Sequence, residues 1–287
     1  METQRKAGTQ FSWKPLIEIP ETIPEITFLQ GDDAQAFLEE FNATAREQYG
    51  DAAEKVAVLS YDAKNKIVRG SNLFATVHAD NLLKSQGVRV ATMADLEKGL
   101  AAGFDLRGTY EDPALVLRSR AAPNEYLATN LANQLDARGT KLGKNPLVVQ
   151  LRGLQLVRDA DSDYGLSFKL TDESEIIEAS QLIEKNNGKT FKKLDENSMP
   201  ILDAEGNRYL YTRKSGLSRL YLIVNLSLGS NSGYLAYSIE NGRVAFVRSG
   251  EAAGANFLAQ LRQKFEAEQS ELAGRYEAAL KVFKGQN

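Results

Sequence analysis

The sequence predicts an α+β fold, and three observations lead to this prediction. Helical and strand-like patterns alternate over residues 25–145. Over 146–250 the pattern changes to short strands separated by turns, which is typical of an antiparallel β-meander. Apolar residues then recur in steps of three, four and seven, which predicts a long amphipathic helix at the C-terminus. We expect four parts: an extended arm (1–24), an α/β subdomain (25–145), an antiparallel β subdomain (146–250) and a C-terminal helix (251–287).

The N-terminal arm is predicted from its prolines. Pro15, Pro20 and Pro24 stand among leucine and isoleucine residues. Each proline fixes φ and removes a backbone donor, so the segment favours an extended conformation over a helix. The arm has two interpretations: it lies across its own domain, or its apolar side chains contact a neighbouring subunit.

Several elements of the α/β subdomain have local signals. The sequence VAVLSY at 56–61 predicts a buried strand, and 74–84 has the composition of a helix. Thr92 with Asp95 three residues later predicts a capping box at the start of a helix. Apolar residues at helical spacing over 126–135 predict another helix.

Two hairpins are predicted in the β subdomain. One has its turn at 159–165. The other is signalled by Asn241 and Gly242, a pair typical of tight turns between antiparallel strands. It would join strands over 234–239 and 244–247.

The composition excludes several chemistries. The 287 residues include no cysteine and one histidine, so disulfides, thiolate metal sites and cysteine nucleophiles are excluded. His78 is the only imidazole, and we interpret it as a core or capping histidine. The sequence contains no phosphate loop, dinucleotide loop or nucleophile elbow. We therefore expect a non-catalytic protein rather than an enzyme.

An acidic loop is the only candidate for a metal site. Asp159, Asp161 and Asp163 have the alternate spacing of the first ligands of a calcium loop. The match then fails, because Tyr164 stands where glycine is needed and Leu170 where a bidentate glutamate is needed. An acidic hairpin turn is the main interpretation, and a weak divalent-cation site, for example for calcium, is the alternative. No other cofactor is predicted.

A basic and aromatic segment over 208–221 is the candidate ligand-binding site. Tyrosines offer stacking faces and the basic groups offer phosphate contacts, a combination that suits single strands or polyanions. The alternative is that the tyrosines pack in the sheet while the arginines pair with acids. The candidate residues are Tyr209, Tyr211, Arg213, Lys214, Arg219 and Tyr221.

The leading functional hypothesis is a non-catalytic binding or assembly protein, including a homo-oligomeric structural component. The arm (1–24) or the C-terminal helix (251–287) would form the contacts between subunits, and the segment 208–221 would contact a ligand. Local binding of nucleic acid or another polyanion is the first alternative, and a carboxylate- or metal-dependent enzyme is the second. The net charge of −3 gives no overall attraction to nucleic acid, so such binding must be local. No apolar stretch is long enough to predict a membrane span, and the default location is the cytoplasm, with virion association as the alternative.

Overall fold

The computed structural model describes residues 26–31, 33–195 and 197–248. The predicted arm over 1–24 and the predicted helix over 251–287 lie outside these residues. The described part contains four α-helices: α1 Asp33–Tyr49, α2 Leu73–Leu83, α3 Met93–Ala101 and α4 Glu125–Ala137. Short 3₁₀ helices lie at Gly50–Lys55, Lys84–Gln86, Ser180–Leu182 and Glu184–Asn186. None of these helices is long and apolar enough to cross a membrane.

The strands of the described residues are short, apart from one long strand. They are β1 Ile26–Phe28, β2 Ser60–Asp62, β3 Ile67–Arg69, β4 Val88–Val90, β5 Tyr110–Leu117, β6 Leu147–Gln150, β7 Leu154–Arg158, β8 Leu166–Leu170, β9 Ile176–Glu178, β10 Thr190–Leu194, β11 Pro200–Leu202, β12 Arg208–Tyr211, β13 Leu217–Leu222, β14 Leu228–Gly229, β15 Gly242–Arg243 and β16 Ala245–Arg248. This mixture of helices and sheets confirms the predicted α+β class.

A nine-stranded sheet organises the fold. Its strand order is β11-β10-β12-β14-β13-β5-β6-β9, and β15 pairs with β5 off this path. Most neighbours are antiparallel, as predicted, but β12 runs parallel to β14 and β15 runs parallel to β5. Because β5 pairs with both β6 and β13, the sheet continues across the domain boundary predicted at residue 146. Smaller sheets have the orders β1-β16-β4, β2-β3 and β7-β8.

The long strand β5 separates two hydrophobic cores. All eight of its residues are buried. Since successive side chains of a strand point to opposite faces, Leu115 and Leu117 enter one core, and Ala114 and Val116 enter the other. A strand covered on both faces has a continuous apolar sequence, which fits the run from Ala114 to Leu117.

The first core is covered by α1, α2 and α4. Nine of the eleven residues of α2 are buried, so this helix lies inside the molecule. Its N-terminus is fixed by Asn72, whose side-chain oxygen accepts a hydrogen bond from the Ala75 N–H at 2.7 Å. The Asn72 amide also donates to the carbonyls of Lys55 and Ala236. The helix predicted over 74–84 is confirmed.

His78 belongs to this core, as predicted. Its ring nitrogens lie 3.1 Å from Thr44 Oγ1 and 3.3 Å from the Tyr49 hydroxyl, and Nε2 lies 3.2 Å from the Phe41 carbonyl. The rings of Phe41 and Tyr49 also pack edge-on against it. Burial lowers the pKa of His78, which favours the neutral ring.

The second core lies on the opposite face of the sheet and includes α3. The capping box predicted at its start is confirmed, since Thr92 Oγ1 accepts from the Asp95 N–H and Asp95 accepts from the Thr92 N–H at 2.8 Å. Arg89 holds the same carboxylate through two hydrogen bonds. Met93 and Leu96 then enter the core beside Phe191.

Two strand predictions are wrong. Most of 56–61 is not a strand, because the Val56 N–H closes a 3₁₀ turn on the Ala53 carbonyl and pairing starts only at Ser60. The hairpin at Asn241-Gly242 does not form either, since 234–239 is a loop. The hairpin with its turn at 159–165 is confirmed, since β7 and β8 pair antiparallel over five residues.

Candidate ligand-binding site

A row of tyrosines lies on one face of the central sheet. Tyr209 and Tyr211 alternate along β12 with Arg208 and Leu210, so the two rings share a face. Their ring centroids are 6.3 Å apart, and the ring planes differ by 27°. Tyr209 is 46% exposed, which is unusual for a large aromatic side chain on an interior strand.

Tyr221 extends this row across β14. Gly229 pairs with Tyr211 on one side and with Tyr221 on the other. A Cβ atom at Gly229 would lie 2.4 Å from the Tyr221 ring, so the absence of a side chain lets that ring cover the strand. The Tyr221 hydroxyl donates to Asn231 Oδ1 at 3.1 Å, which fixes the ring. We call Tyr209, Tyr211, Tyr221 and Asn231 the tyrosine face.

Two basic residues follow the tyrosine face at one end. Arg213 donates from Nη1 to the Asn231 carbonyl at 2.9 Å, and its buried Nε has no hydrogen-bond partner in the described part of the chain. Burial lowers the pKa of Arg213. Lys214 is exposed. The structure therefore brings five of the six predicted ligand-binding residues to one region.

Arg219, the sixth predicted residue, is not available at the surface. Its side chain is 3% exposed and that of Asp112 is fully buried. Two hydrogen bonds of 2.7 and 2.6 Å join the guanidinium to this carboxylate. A third group, Nη1, donates to the Tyr237 carbonyl at 2.9 Å. The guanidinium carbon lies 5.4 Å from the Tyr221 ring centroid, so Arg219 supports the tyrosine face from below.

Arg118 is a partly buried cation near this site, and no local pattern in the sequence points to it. It follows β5 at the end of the sheet where Arg213 also lies, on the side of the second core. Its guanidinium donates only to neutral oxygens, at 2.7 to 3.2 Å: the Leu182 carbonyl and the hydroxyls of Thr212, Ser218 and Ser230. Burial, together with the positive charge of Arg213, lowers the pKa of Arg118 to about 9.

The acidic loop gains no support as a metal site. The Tyr126 hydroxyl lies 2.9 and 3.0 Å from the two carboxylate oxygens of Asp159, whereas Asp161 and Asp163 are exposed. Among residues 26–248, as far as they are described, no group of three or more histidine, aspartate or glutamate side chains is arranged to hold a metal ion. Calcium binding by this loop stays a prediction.

Comparisons with family models, with curated proteins and with solved structures find no match to this chain.

Proposed function

We propose that the protein is a non-catalytic binding protein and that the tyrosine face binds single-stranded nucleic acid. The observation that carries this proposal is the row formed by Tyr209 and Tyr211 on β12 and Tyr221 on β13, with Gly229 of β14 between them. Aromatic side chains on an open sheet can stack with bases irrespective of their sequence, because every base has a π-face. Each stacked base contributes about 1–3 kcal/mol.

Rigidity of the face supports this proposal. Tyr221 is held at its hydroxyl by Asn231 and from below by Arg219. The backbone of Tyr209 and Tyr211 is fixed by the pairing of β12 with β10 and β14, and their rings pack on each other. Side chains that are already ordered lose little conformational entropy when a ligand binds.

The charges next to the tyrosine face also favour an anionic ligand. Arg213 and Lys214 lie at its end, where they can contact phosphates. Arg118 adds a third positive charge at the same end of the sheet but on its opposite face, and none of its hydrogen-bond acceptors in the described residues is a carboxylate. Because the chain has a net charge of −3, this attraction is local and we expect strong sensitivity to salt.

The first experiment measures fluorescence anisotropy of a labelled single-stranded oligothymidine with the full chain. Tyr209→Ala removes one exposed stacking face, and we expect roughly 5- to 150-fold weaker binding, which corresponds to about 1–3 kcal/mol. Tyr209→Phe keeps the ring, so its affinity should stay close to that of the unmodified protein. Tyr126→Ala is the matched control, since Tyr126 is 39% exposed on α4, outside the tyrosine face.

The salt dependence separates phosphate contacts from stacking. Lys214→Ala should weaken binding and reduce the slope of log affinity against log salt by about 0.7, the value for one single-strand phosphate contact. Tyr209→Ala should leave this slope unchanged. Undetectable binding by the unmodified protein, or equal losses in Tyr209→Ala and Tyr126→Ala, would contradict the proposal.

Self-association through 1–24 or 251–287 remains a further prediction of the sequence, because both segments lie outside the described residues. An enzymatic function is the remaining alternative, and no specific observation favours it.

A further inference from the structure

A second candidate site is a cavity of about 470 Å³ between α3, the loop that follows it, and the strands β10 and β12. Part of its lining is apolar. Leu100, Phe104 and Leu226 are partly buried there, where they pack against the second core. We call this cavity the basic pocket because of its remaining lining residues: Lys98, Arg107, Lys193 and Arg208 against Glu97 and Asp105.

Within the described residues, the positive charge of Arg107, Lys193 and Arg208 is only partly balanced. Glu97 accepts two hydrogen bonds of 2.7 and 2.8 Å from Arg208 Nη1, so this carboxylate is already paired. The Arg208 side chain is only 9% exposed, and its Nη2 has no hydrogen-bond partner among these residues. Asp105 lies 3.7 Å from Arg107 as an exposed, weak pair. Lys193 is exposed at the edge of the pocket.

The first described residues of the chain lie beside this pocket. Ile26 packs so closely on α3 that a Cβ atom at Gly99 would lie 2.3 Å from Ile26 Cδ1. Two residues later, the Phe28 ring lies 5.6 Å from the ring of Phe104, which lines the pocket. The chain that precedes Ile26 therefore enters the fold close to the basic pocket.

The sequence immediately before Ile26 is acidic and apolar, which complements the basic and partly apolar lining of the pocket. Residues 16–25 read LIEIPETIPE, with three glutamates, four leucine or isoleucine residues and no basic residue. Pro20 and Pro24 favour an extended conformation, which exposes side chains on both sides of the backbone. Ten extended residues reach about 33 Å, which is enough to cross a pocket of this size.

We propose that residues 16–25 bind in the basic pocket of their own chain, with glutamates near Arg107 and Lys193 and apolar side chains on Leu100, Phe104 and Leu226. The tether at Ile26 favours the same chain over a second copy, because a short linker gives an effective concentration on the order of millimolar. This contact places the N-terminal arm across its own fold.

The only tryptophan, Trp13, lies three residues before this segment and reports on it in the full chain. The test variant is Arg107→Glu/Lys193→Glu, which reverses two exposed charges and should leave the fold intact by circular dichroism. We expect red-shifted Trp13 emission and at least twofold stronger quenching by acrylamide. The control Lys64→Glu/Lys169→Glu reverses two exposed charges that do not line the pocket, and it should leave the emission unchanged.

Unchanged Trp13 quenching in the pocket variant, or equal changes in both double variants, would overturn the proposal. A second measurement uses the absence of cysteine from the chain. In Ile19→Cys/Lys193→Cys, a bis-maleimide reagent should give a cross-linked monomer. A cross-linked dimer would show that the segment binds a second copy, and no cross-link would show that it does not reach the pocket; either result overturns binding within one chain.

Discussion

Arg219 lies on β13 and Arg118 directly follows the neighbouring strand β5, and the protein holds these two arginines in opposite ways. Arg219 forms two hydrogen bonds with the carboxylate of Asp112. Burial alone would lower the pKa of Arg219, but the charge and hydrogen bonds of Asp112, together with Tyr110, outweigh it and the pKa is raised. Arg118 has only neutral hydrogen-bond acceptors in the described residues, and its pKa is lowered to about 9.

This difference separates a structural charge from a charge that can act on a ligand. A buried ion pair largely neutralises itself, so Arg219 adds little positive potential outside the protein. It instead positions Tyr221. A cation held by neutral dipoles keeps its charge uncompensated, so Arg118 adds to the potential of Arg213 at the end of the tyrosine face. Arg219 therefore supports the ring of Tyr221, whereas Arg118 attracts an anionic ligand.

The largest expected effect comes from breaking the buried pair. Arg219→Met should lower the free energy of unfolding by about 3–5 kcal/mol, because it leaves the Asp112 charge buried without a partner. Urea denaturation measures the loss. Arg219→Met/Asp112→Asn removes both charges and should recover much of the stability. If the single variant is as stable as the unmodified protein, the pair does not anchor the tyrosine face.

A smaller loss is expected at Arg118. Arg118→Met removes the cation but leaves no opposite charge behind, so we expect a loss of about 1–3 kcal/mol from the hydrogen-bond acceptors that lose their donor. The same urea titration applies. The variant should also weaken binding of the oligothymidine, whereas Arg118→Lys should retain part of it. A loss as large as that of Arg219→Met would indicate that Arg118 has a negative partner.

Local patterns in the sequence predicted those structural features that depend only on residues close together in the chain. The alternation of Tyr209, Tyr211 and Arg213 predicted one face of a strand, and Thr92 with Asp95 predicted a helix start. The hairpin predicted from Asn241 and Gly242 is wrong, because the residues before it have other contacts. The carbonyls of Tyr234 and Tyr237 accept hydrogen bonds from Arg219, and the Gly242 backbone packs closely on Ser71. The glycine is needed there for close packing.

Partners that are distant in sequence could not be predicted. Asp112 and Arg219 are 107 positions apart, and nothing near either residue identifies the other. Arg118 meets hydroxyls 94 to 112 positions away, which only the strand order brings to one end of the sheet. The position of β5 at the centre of the sheet was missed for the same reason. The tyrosines of the site were therefore predictable, but the charges around them were not.

The smallest expected change in stability comes from Glu111, a buried acid next to the Arg219–Asp112 ion pair. Its Oε1 accepts from Thr109 Oγ1 at 2.6 Å, and its buried Oε2 has no hydrogen-bond partner. Burial raises the pKa of Glu111 to about 8, and the charge of Asp112 adds to this effect despite the opposing hydrogen bond from Thr109. The protonated form is therefore the stable one in the folded protein.

Because the pKa of Glu111 is raised in the folded protein, its contribution to stability is fully present below the ordinary pKa of 4.5. This contribution is lost as the pH rises towards 8. Between pH 6.5 and 7.5 we expect the free energy of unfolding to fall by about 1 kcal/mol. Urea titrations at both values measure it. The lowered pKa of His78 adds a small slope of the opposite sign just above pH 6.5, because the unfolded histidine still loses protons there, and both proteins share this slope. Glu111→Gln keeps an oxygen for Thr109 and carries no charge, so its stability should not fall over this interval. An equal slope in both proteins would assign the pH dependence to another group and leave Glu111 ionised beside Asp112, with Arg243 as the compensating charge.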